Sequence, residues 1–204
     1  GALFLDELPL FSNESLQSLL VPLERGTVTH MYKNQPITLP TKTLLITAMN
    51  PCPCGHANSK QKRCTCSPRA IGLYRRKISG PLLDRIDLLT YLDEFAVEAV
   101  HKEKVDVEAY IKTIHTAQMK QKKRYEKDAI RSNGDLTSEH LDQYFQPTKD
   151  AQTFFNVCCA RLSISARKYV AIARVARTVA DMENNECVEK KHIAEALQLC
   201  VRNL

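Results

Sequence analysis

The spacing of apolar residues divides the chain into a front part that mixes strand and helix patterns and a back part with helix patterns alone. Ala2-Leu-Phe-Leu5 is a short apolar run that predicts a buried strand. Residues 12–23 follow helical spacing, with Leu16, Leu19, Leu20 and Leu23 on one face. Ser12 is placed to cap that helix, and Pro22 and Gly26 are placed to stop it. Residues 27–32 and 37–39 flank the polar Lys33-Asn34-Gln35-Pro36 and predict a β-hairpin. Residues 43–47 predict a second buried strand ending near Asn50, and residues 88–92 a third. The segment 51–68 is rich in Pro, Cys, Gly and Lys and reads as loop. After residue 93 the pattern predicts helices near 107–127, 137–145, 149–161, 165–183 and 189–202, with Asp106, Thr137 and Ser165 as caps. The expectation is an α/β piece over residues 1–92 followed by an all-α domain over residues 93–204.

Composition changes this picture little until charge is placed along the chain. The 204 residues are 44% hydrophobic and 25% charged, which excludes a disordered, collagen-like or coiled-coil chain. No apolar run approaches the roughly 20 residues that span a bilayer, so the expectation is a cytoplasmic protein without a membrane partner. The net charge of +6 is uneven. Between Glu24 and Asp84 there is no acidic residue, and the same stretch holds ten cations. A polyanion partner is the reading that this segregation favours over a plain solvated surface.

Four of the eight cysteines, Cys52, Cys54, Cys64 and Cys66, form a C-x-C…C-x-C cluster in the predicted loop. They supply enough thiolates for one tetrahedral structural Zn²⁺, or else are four free thiols. Cys158, Cys159, Cys187 and Cys200 sit in helical patterns, where a small core residue is expected. Arg174 and Arg177 are expected to be solvated or interface residues, and the run Lys120-Gln-Lys-Lys-Arg124 the wet side of a helix. His30, His101, His115, His140 and His192 show no catalytic spacing and are assigned surface or packing roles, while His56 is an alternative zinc ligand.

An apolar strand that delivers Asp6 and Glu7 at its C-terminal end suits nucleotide hydrolysis. One carboxylate can sit beside Mg²⁺ and the other can orient the attacking water. Asn50 ends the neighbouring strand and can hold the water or a phosphate without neutralising the carboxylates. Arg85 lies on a turn before residues 88–92, where it either pairs with Asp84 or Asp87 or stabilises phosphoryl charge in a neighbouring subunit.

Gly1-Ala-Leu-Phe-Leu-Asp-Glu7, Pro22-Leu-Glu-Arg-Gly26, Ala48-Met-Asn-Pro-Cys-Pro-Cys-Gly55 and Ile78-Ser-Gly-Pro-Leu-Leu-Asp-Arg-Ile-Asp87 together resemble the magnesium-chelatase-like AAA+ ATPases, and within them the ComM/YifB-type competence helicases. Leu162-Ser-Ile-Ser-Ala-Arg167 and Val175-Ala-Arg-Thr-Val-Ala-Asp181 continue the likeness. The resemblance implies a partial AAA+ core holding the Walker B, sensor 1 and post-arginine-finger strands, followed by a helical lid. It implies ATP and Mg²⁺ as cofactors, Walker B at Asp6 and Glu7, sensor 1 at Asn50, an arginine finger at Arg85 and sensor 2 at Arg167. It further implies a homo-oligomer, hexameric in the full-length protein, that moves on single-stranded or branched DNA in transformation and recombination. The hairpin tip, Lys33 and Asn34, resembles a helicase pre-sensor 1 hairpin, and Lys60, Lys62 and Arg63 are candidates for further phosphate contacts.

The family's phosphate loop, a Gly-rich turn with Lys-Ser/Thr, has no counterpart in these residues. The chain therefore reads as a C-terminal portion of a longer enzyme, inactive by itself. The strand over residues 88–92 would lack its usual neighbour, and three outcomes are expected: direct pairing with residues 43–47, pairing between chains, or disorder of the α/β part. Two other functions suit the same motifs: a chelatase motor subunit driving metal insertion into a porphyrin, and a regulatory ATPase bound to a protein partner. The cysteine loop and the acid-free stretch favour DNA.

Overall fold

A computed structural model describes residues 1–92 and 106–201. The chain divides into two compact units, Gly1–Ile86 and Asp87–Leu204.

In the first unit, β1 (Ala2–Leu5) pairs in parallel with β4 (Leu44–Thr47), register Ala2↔Leu44 to Leu5↔Thr47. Between them the chain forms α1 (Asn13–Ser18), α2 (Leu20–Arg25) and a hairpin of β2 (Thr27–Tyr32) and β3 (Gln35–Pro40). The single helix expected over residues 12–23 is two helices. Ser12 caps α1 through the Ser15 amide as expected, but Leu19 ends α1 and begins α2. Gly26, at φ 65°, closes α2 with its amide on the Pro22 carbonyl at 2.9 Å. The apolar stripe does what its spacing requires. Leu16 packs with Leu8, Ile78 and Leu82, and Leu5, Leu19, Leu20, Leu23 and Leu83 surround them.

The hairpin is tighter than its composition suggested. Only Lys33 and Asn34 make the turn, at φ 46° and 64°, while Gln35 and Pro36 already belong to β3. Two consecutive positive φ values match the twist of the flanking strands and suit a two-residue hairpin loop. After the cysteine loop, Ser67 caps α3 (Pro68–Arg76), a helix the sequence reading missed. Ser79 and Pro81 then set the start of α4 (Gly80–Leu83).

The second unit holds α5 (Val107–Arg124), α6 (Ser138–Tyr144), α7 (Lys149–Arg161), α8 (Ala166–Met182) and α9 (Lys190–Cys200). Asp106, Thr137 and Ser165 occupy their expected N-cap positions. Alanines on α8 (Ala173, Ala176, Ala180) let α9 approach closely with Ile193, Ala196 and Cys200. Phe155 fills the space beneath α7, stacked on Tyr169 at 4.4 Å between ring centroids and edge-on to Phe145 at 5.9 Å.

Four sequence expectations are corrected here. Residues 88–92 form no strand and do not pair with residues 43–47, although the two-stranded sheet of β1 and β4 leaves an outer edge of each strand open; the Leu89 amide instead donates to the Leu199 carbonyl at 2.7 Å. That bond satisfies one of the carbonyls that the end of α9 leaves without an intrahelical partner. Arg177 is not solvated but fully buried, held against Asp181 of the next turn, and Arg174 donates to the Leu136 carbonyl. Arg124 turns away from the wet side of its helix to pair with the same Asp181. Of the four helical-region cysteines only Cys200 is fully buried; Cys158 and Cys159 are half-buried, and Cys187 is exposed. The last lies beyond the end of α8, past the helical face that its position suggested.

Candidate nucleotide and metal sites

The parallel register of β1 and β4 brings their C-terminal ends to one edge of the sheet. The chain leaves each strand there, with the Ala48 amide on the Leu5 carbonyl and the Leu8 amide on the Ala48 carbonyl, both at 3.0 Å. Those two bonds lock the exit of β1 against the exit of β4. Glu7 takes a left-handed conformation, φ 51° and ψ 46°, and caps the single 3₁₀ turn of Leu8–Leu10. Its amide donates to the Asp6 Oδ1 at 2.8 Å. The Asn50 Nδ2 donates to the Glu7 Oε1 at 2.5 Å, joining two residues 43 positions apart. Asp6 is exposed, with its Oδ1 taken by the Glu7 amide, whereas Glu7 and Asn50 are half-buried. Tyr74 of α3 lies behind the pair. Burial, followed by the Glu7 carboxylate, pushes its phenol above the ordinary range.

Arg85 does not project. Its Nη2 contacts the Glu24 carboxylate at 2.5 Å and its Nη1 donates to the Pro81 carbonyl at 2.7 Å, leaving the side chain 13% exposed. Neither Asp84 nor Asp87 is the partner that sequence proximity suggested. Glu24 was missed as a functional neighbour because 61 positions separate the two residues, although both lie in runs that carry the family resemblance. Arg167 belongs to the other unit, exposed in the first turn of α8, where the Lys168 amide donates to the Ser165 hydroxyl at 3.2 Å. Lys33 and Asn34 stand at the exposed tip of the hairpin, with the Lys33 ammonium 5.4 Å from the Tyr32 ring centroid. Lys60, Lys62 and Arg63 are exposed on the cysteine loop, so the cations called out there are available to solvent.

The loop itself brings its four cysteines together. Cys52 Sγ lies 3.4 Å from Cys54 Sγ and 3.7 Å from Cys64 Sγ, and the Cys54 and Cys64 sulfurs are 3.6 Å apart. All four ligand atoms, Cys66 included, fall within 4.8 Å of one another. A tetrahedron of thiolates about 2.3 Å from a central zinc has edges of about 3.8 Å. The cluster thus has the size and donor set for a closed four-thiolate site. Backbone amides of His56 and Thr65 favour the thiolate of Cys54 and draw its pKa down to about 5. Burial, reinforced by Cys54, drives Cys66 the other way, up to about 12.

An adjacent carboxylate pair and a strand-end amide thus meet at the C-terminal edge of a parallel sheet, the edge at which open α/β sheets bind ligands. Residues 1–100 match the family described as magnesium chelatase, subunit ChlI, and residues 106–200 match the C-terminal family of the same subunit. The chain is 31% identical over 197 residues to the protein YifB of Escherichia coli and 31% identical over 203 residues to the competence protein ComM of Haemophilus influenzae. It is 32% identical over 200 residues to YifB of Salmonella typhimurium. Each alignment covers 97% of this chain and 38% of the relative, so the chain spans well under half the length of the curated relatives it matches. The chain belongs to the magnesium-chelatase-like family of AAA+ ATPases, ComM/YifB type. No helix among the described residues is long and apolar enough to cross a membrane.

Proposed function

We propose that these residues are part of an ATP-driven DNA motor of the ComM type, acting as a hexameric ring in the full-length protein during transformation and recombination. The observation that carries the reading is the Asn50 amide on the Glu7 carboxylate at the C-terminal edge of β1 and β4. Bound Mg²⁺–ATP would supply the γ-phosphoryl group and neutralise its charge. Asp6, exposed beside that pair, holds the metal side of the site. Glu7 accepts a hydrogen bond from the attacking water and draws its proton, and Asn50 fixes the carboxylate that does so. Arg85 serves a neighbouring subunit after leaving Glu24, and Arg167 contributes from the helical lid. The 204 residues contain no Gly-rich Lys-Ser/Thr loop, so this chain alone is not expected to turn over ATP. The domain division proposed from the sequence, a core over residues 1–92 and a lid over residues 93–204, serves the same scheme.

Lys33 and Asn34 at the hairpin tip, with Lys60, Lys62 and Arg63, are the proposed DNA contacts. They contact phosphates and so bind with little sequence preference and strong salt dependence. Their exposure on an acid-free stretch supports DNA over the porphyrin-chelatase alternative. The four cysteines hold a structural Zn²⁺, with no open position for catalysis. The test is ATP turnover and forked-DNA binding by the full-length protein. Glu7→Gln should abolish turnover while DNA binding remains, and Lys33→Ala should weaken DNA binding and flatten its salt dependence. DNA affinity indifferent to salt and to Lys33→Ala would overturn the DNA assignment.

A further inference from the structure

We infer that the metal held by the four cysteines is what seats Asn50 on Glu7, so that the cysteine loop is a brace for the nucleotide site. This rests on the metal reading of the cluster given above. The connection is short and direct. Asn50 ends the sheet edge and Cys52, a ligand, follows two positions later, fully buried. The intervening Pro51 gives its carbonyl to the Arg75 Nε at 3.2 Å, and the Cys52 carbonyl accepts the Gly55 amide at 3.0 Å. These two bonds fold residues 52–55 back over the strand end. Gly55 takes φ 81°, and a Cβ built on it would lie 3.9 Å from both Cγ and Oδ1 of Asn50. The Asn50 side chain is therefore confined between the backbone of a cysteine turn on one side and the Glu7 carboxylate on the other.

Beyond those two bonds the loop has little apolar surface to hold that turn in place. Among residues 51–67 Cys52 is the one buried residue, so no apolar core orders the segment. Its remaining internal bonds are local: the Ser59 amide on the His56 carbonyl, and the Gln61 and Lys62 amides on the Ser59 hydroxyl. The contacts that join its two legs, residues 52–54 and residues 64–66, all end on cysteine sulfurs: sulfur against sulfur, the Thr65 amide on the Cys54 sulfur and the Cys54 amide on the Cys66 sulfur. A metal ion converts those contacts into bonds that fix both legs, and through Cys52 and Gly55 it fixes the amide of Asn50. The cluster acts as a positioning element: its ligands touch neither Glu7 nor any reacting atom.

The test uses the whole 204-residue chain. Its zinc content is measured by native mass spectrometry, and the Asn50 side-chain amide is followed by ¹⁵N–¹H spectroscopy, assigned by its loss in Asn50→Asp. One zinc per chain is expected, with Asn50 amide protons protected from exchange. Chelation should cut that protection at least tenfold, and added Zn²⁺ should restore it, while backbone amides of α8 stay unchanged as an internal check of folding. The double variant Cys64→Ser, Cys66→Ser keeps both cysteines next to Asn50 and should show the same loss without chelator. A chain that carries zinc yet keeps the Asn50 amide unaltered on chelation overturns the brace and leaves the metal reading standing. A chain isolated without bound metal overturns both.

Discussion

Replacing Asp181 by alanine should be among the most damaging single changes in the helical unit. Its carboxylate accepts from the Arg124 Nη1 and the Asn133 Nδ2, each at 2.9 Å, and lies 3.1 Å from the Arg177 Nη2. The Asp181 and Arg177 side chains are both 0% exposed. Burial, offset by Asp181, already holds the Arg177 guanidinium below its ordinary range. In Asp181→Ala, Arg177 keeps its bonds to the Glu186 and Asn185 carbonyls at 2.6 and 2.7 Å but loses its counter-charge. Removing one partner of a buried ion pair costs about 3–5 kcal/mol, because the other charge stays behind without compensation. Arg124 adds little to this, since its side chain is 17% exposed and can turn to water. For a unit of this size the loss corresponds to a fall in Tm of roughly 10–20 °C. Urea titration followed by far-ultraviolet circular dichroism, with Tyr125 absorbance as a second probe of the same region, measures it. The double variant Arg177→Met, Asp181→Leu should recover most of the loss, because it removes the desolvation penalty together with the pair. A cost below about 1 kcal/mol for Asp181→Ala would show that the Arg177 charge is not desolvated and would refute the reasoning.

Phe155→Ala should cost about 3–5 kcal/mol, since it removes a ring with no exposed surface that contacts both Tyr169 and Phe145; the same urea titration reads it. Thiol labelling with a disulfide reagent at mildly alkaline pH should modify exposed Cys187 and spare Cys200, whose thiol is pushed up to about 11 by burial, as peptide mass spectrometry will show. Hydrogen bonds from Lys191 and then His192 hold the Glu183 carboxyl below its ordinary value of 4.5. Because the folded pKa is the lower one, this contribution is present above the unfolded value and is lost as pH falls through the carboxylate range. Glu183→Gln should therefore lower stability at neutral pH, flatten the acid limb of the stability–pH profile and converge with the parent chain once pH falls below the carboxylate range, as urea titration at a series of pH values will show.

The elements that could be read from sequence were those whose signals are local. Helix spacing and caps gave the five long helices of the second unit to within a few residues, and alternation gave the hairpin. Nothing local marks residues 88–92 as unpaired, because whether an apolar run joins a sheet is decided by tertiary context and not by its own sequence. The histidines show the same limit. His140 and His192 each accept the backbone amide three positions earlier and so close a capping box at the start of α6 and of α9, a place usually filled by Glu or Gln. Of the candidate site, Asp6, Glu7, Asn50 and the cysteines lie on the front unit where their motifs placed them. The contacts that give the site its form, Asn50 to Glu7 and Arg85 to Glu24, join residues 43 and 61 positions apart through the tertiary fold. A spacing rule has no access to them.

The backbone of Glu7 carries a cost that its carboxylate has to justify. A side chain held at φ 51° and ψ 46° sits where residues other than glycine lose about 1–2 kcal/mol to crowding of Cβ against the following carbonyl. Glycine would relieve that crowding, so the stability of the turn and the chemistry proposed for it favour different residues. Selection for folding alone would erode this position. A chain that keeps glutamate here holds a strained joint at the point where its two parallel strands release the chain.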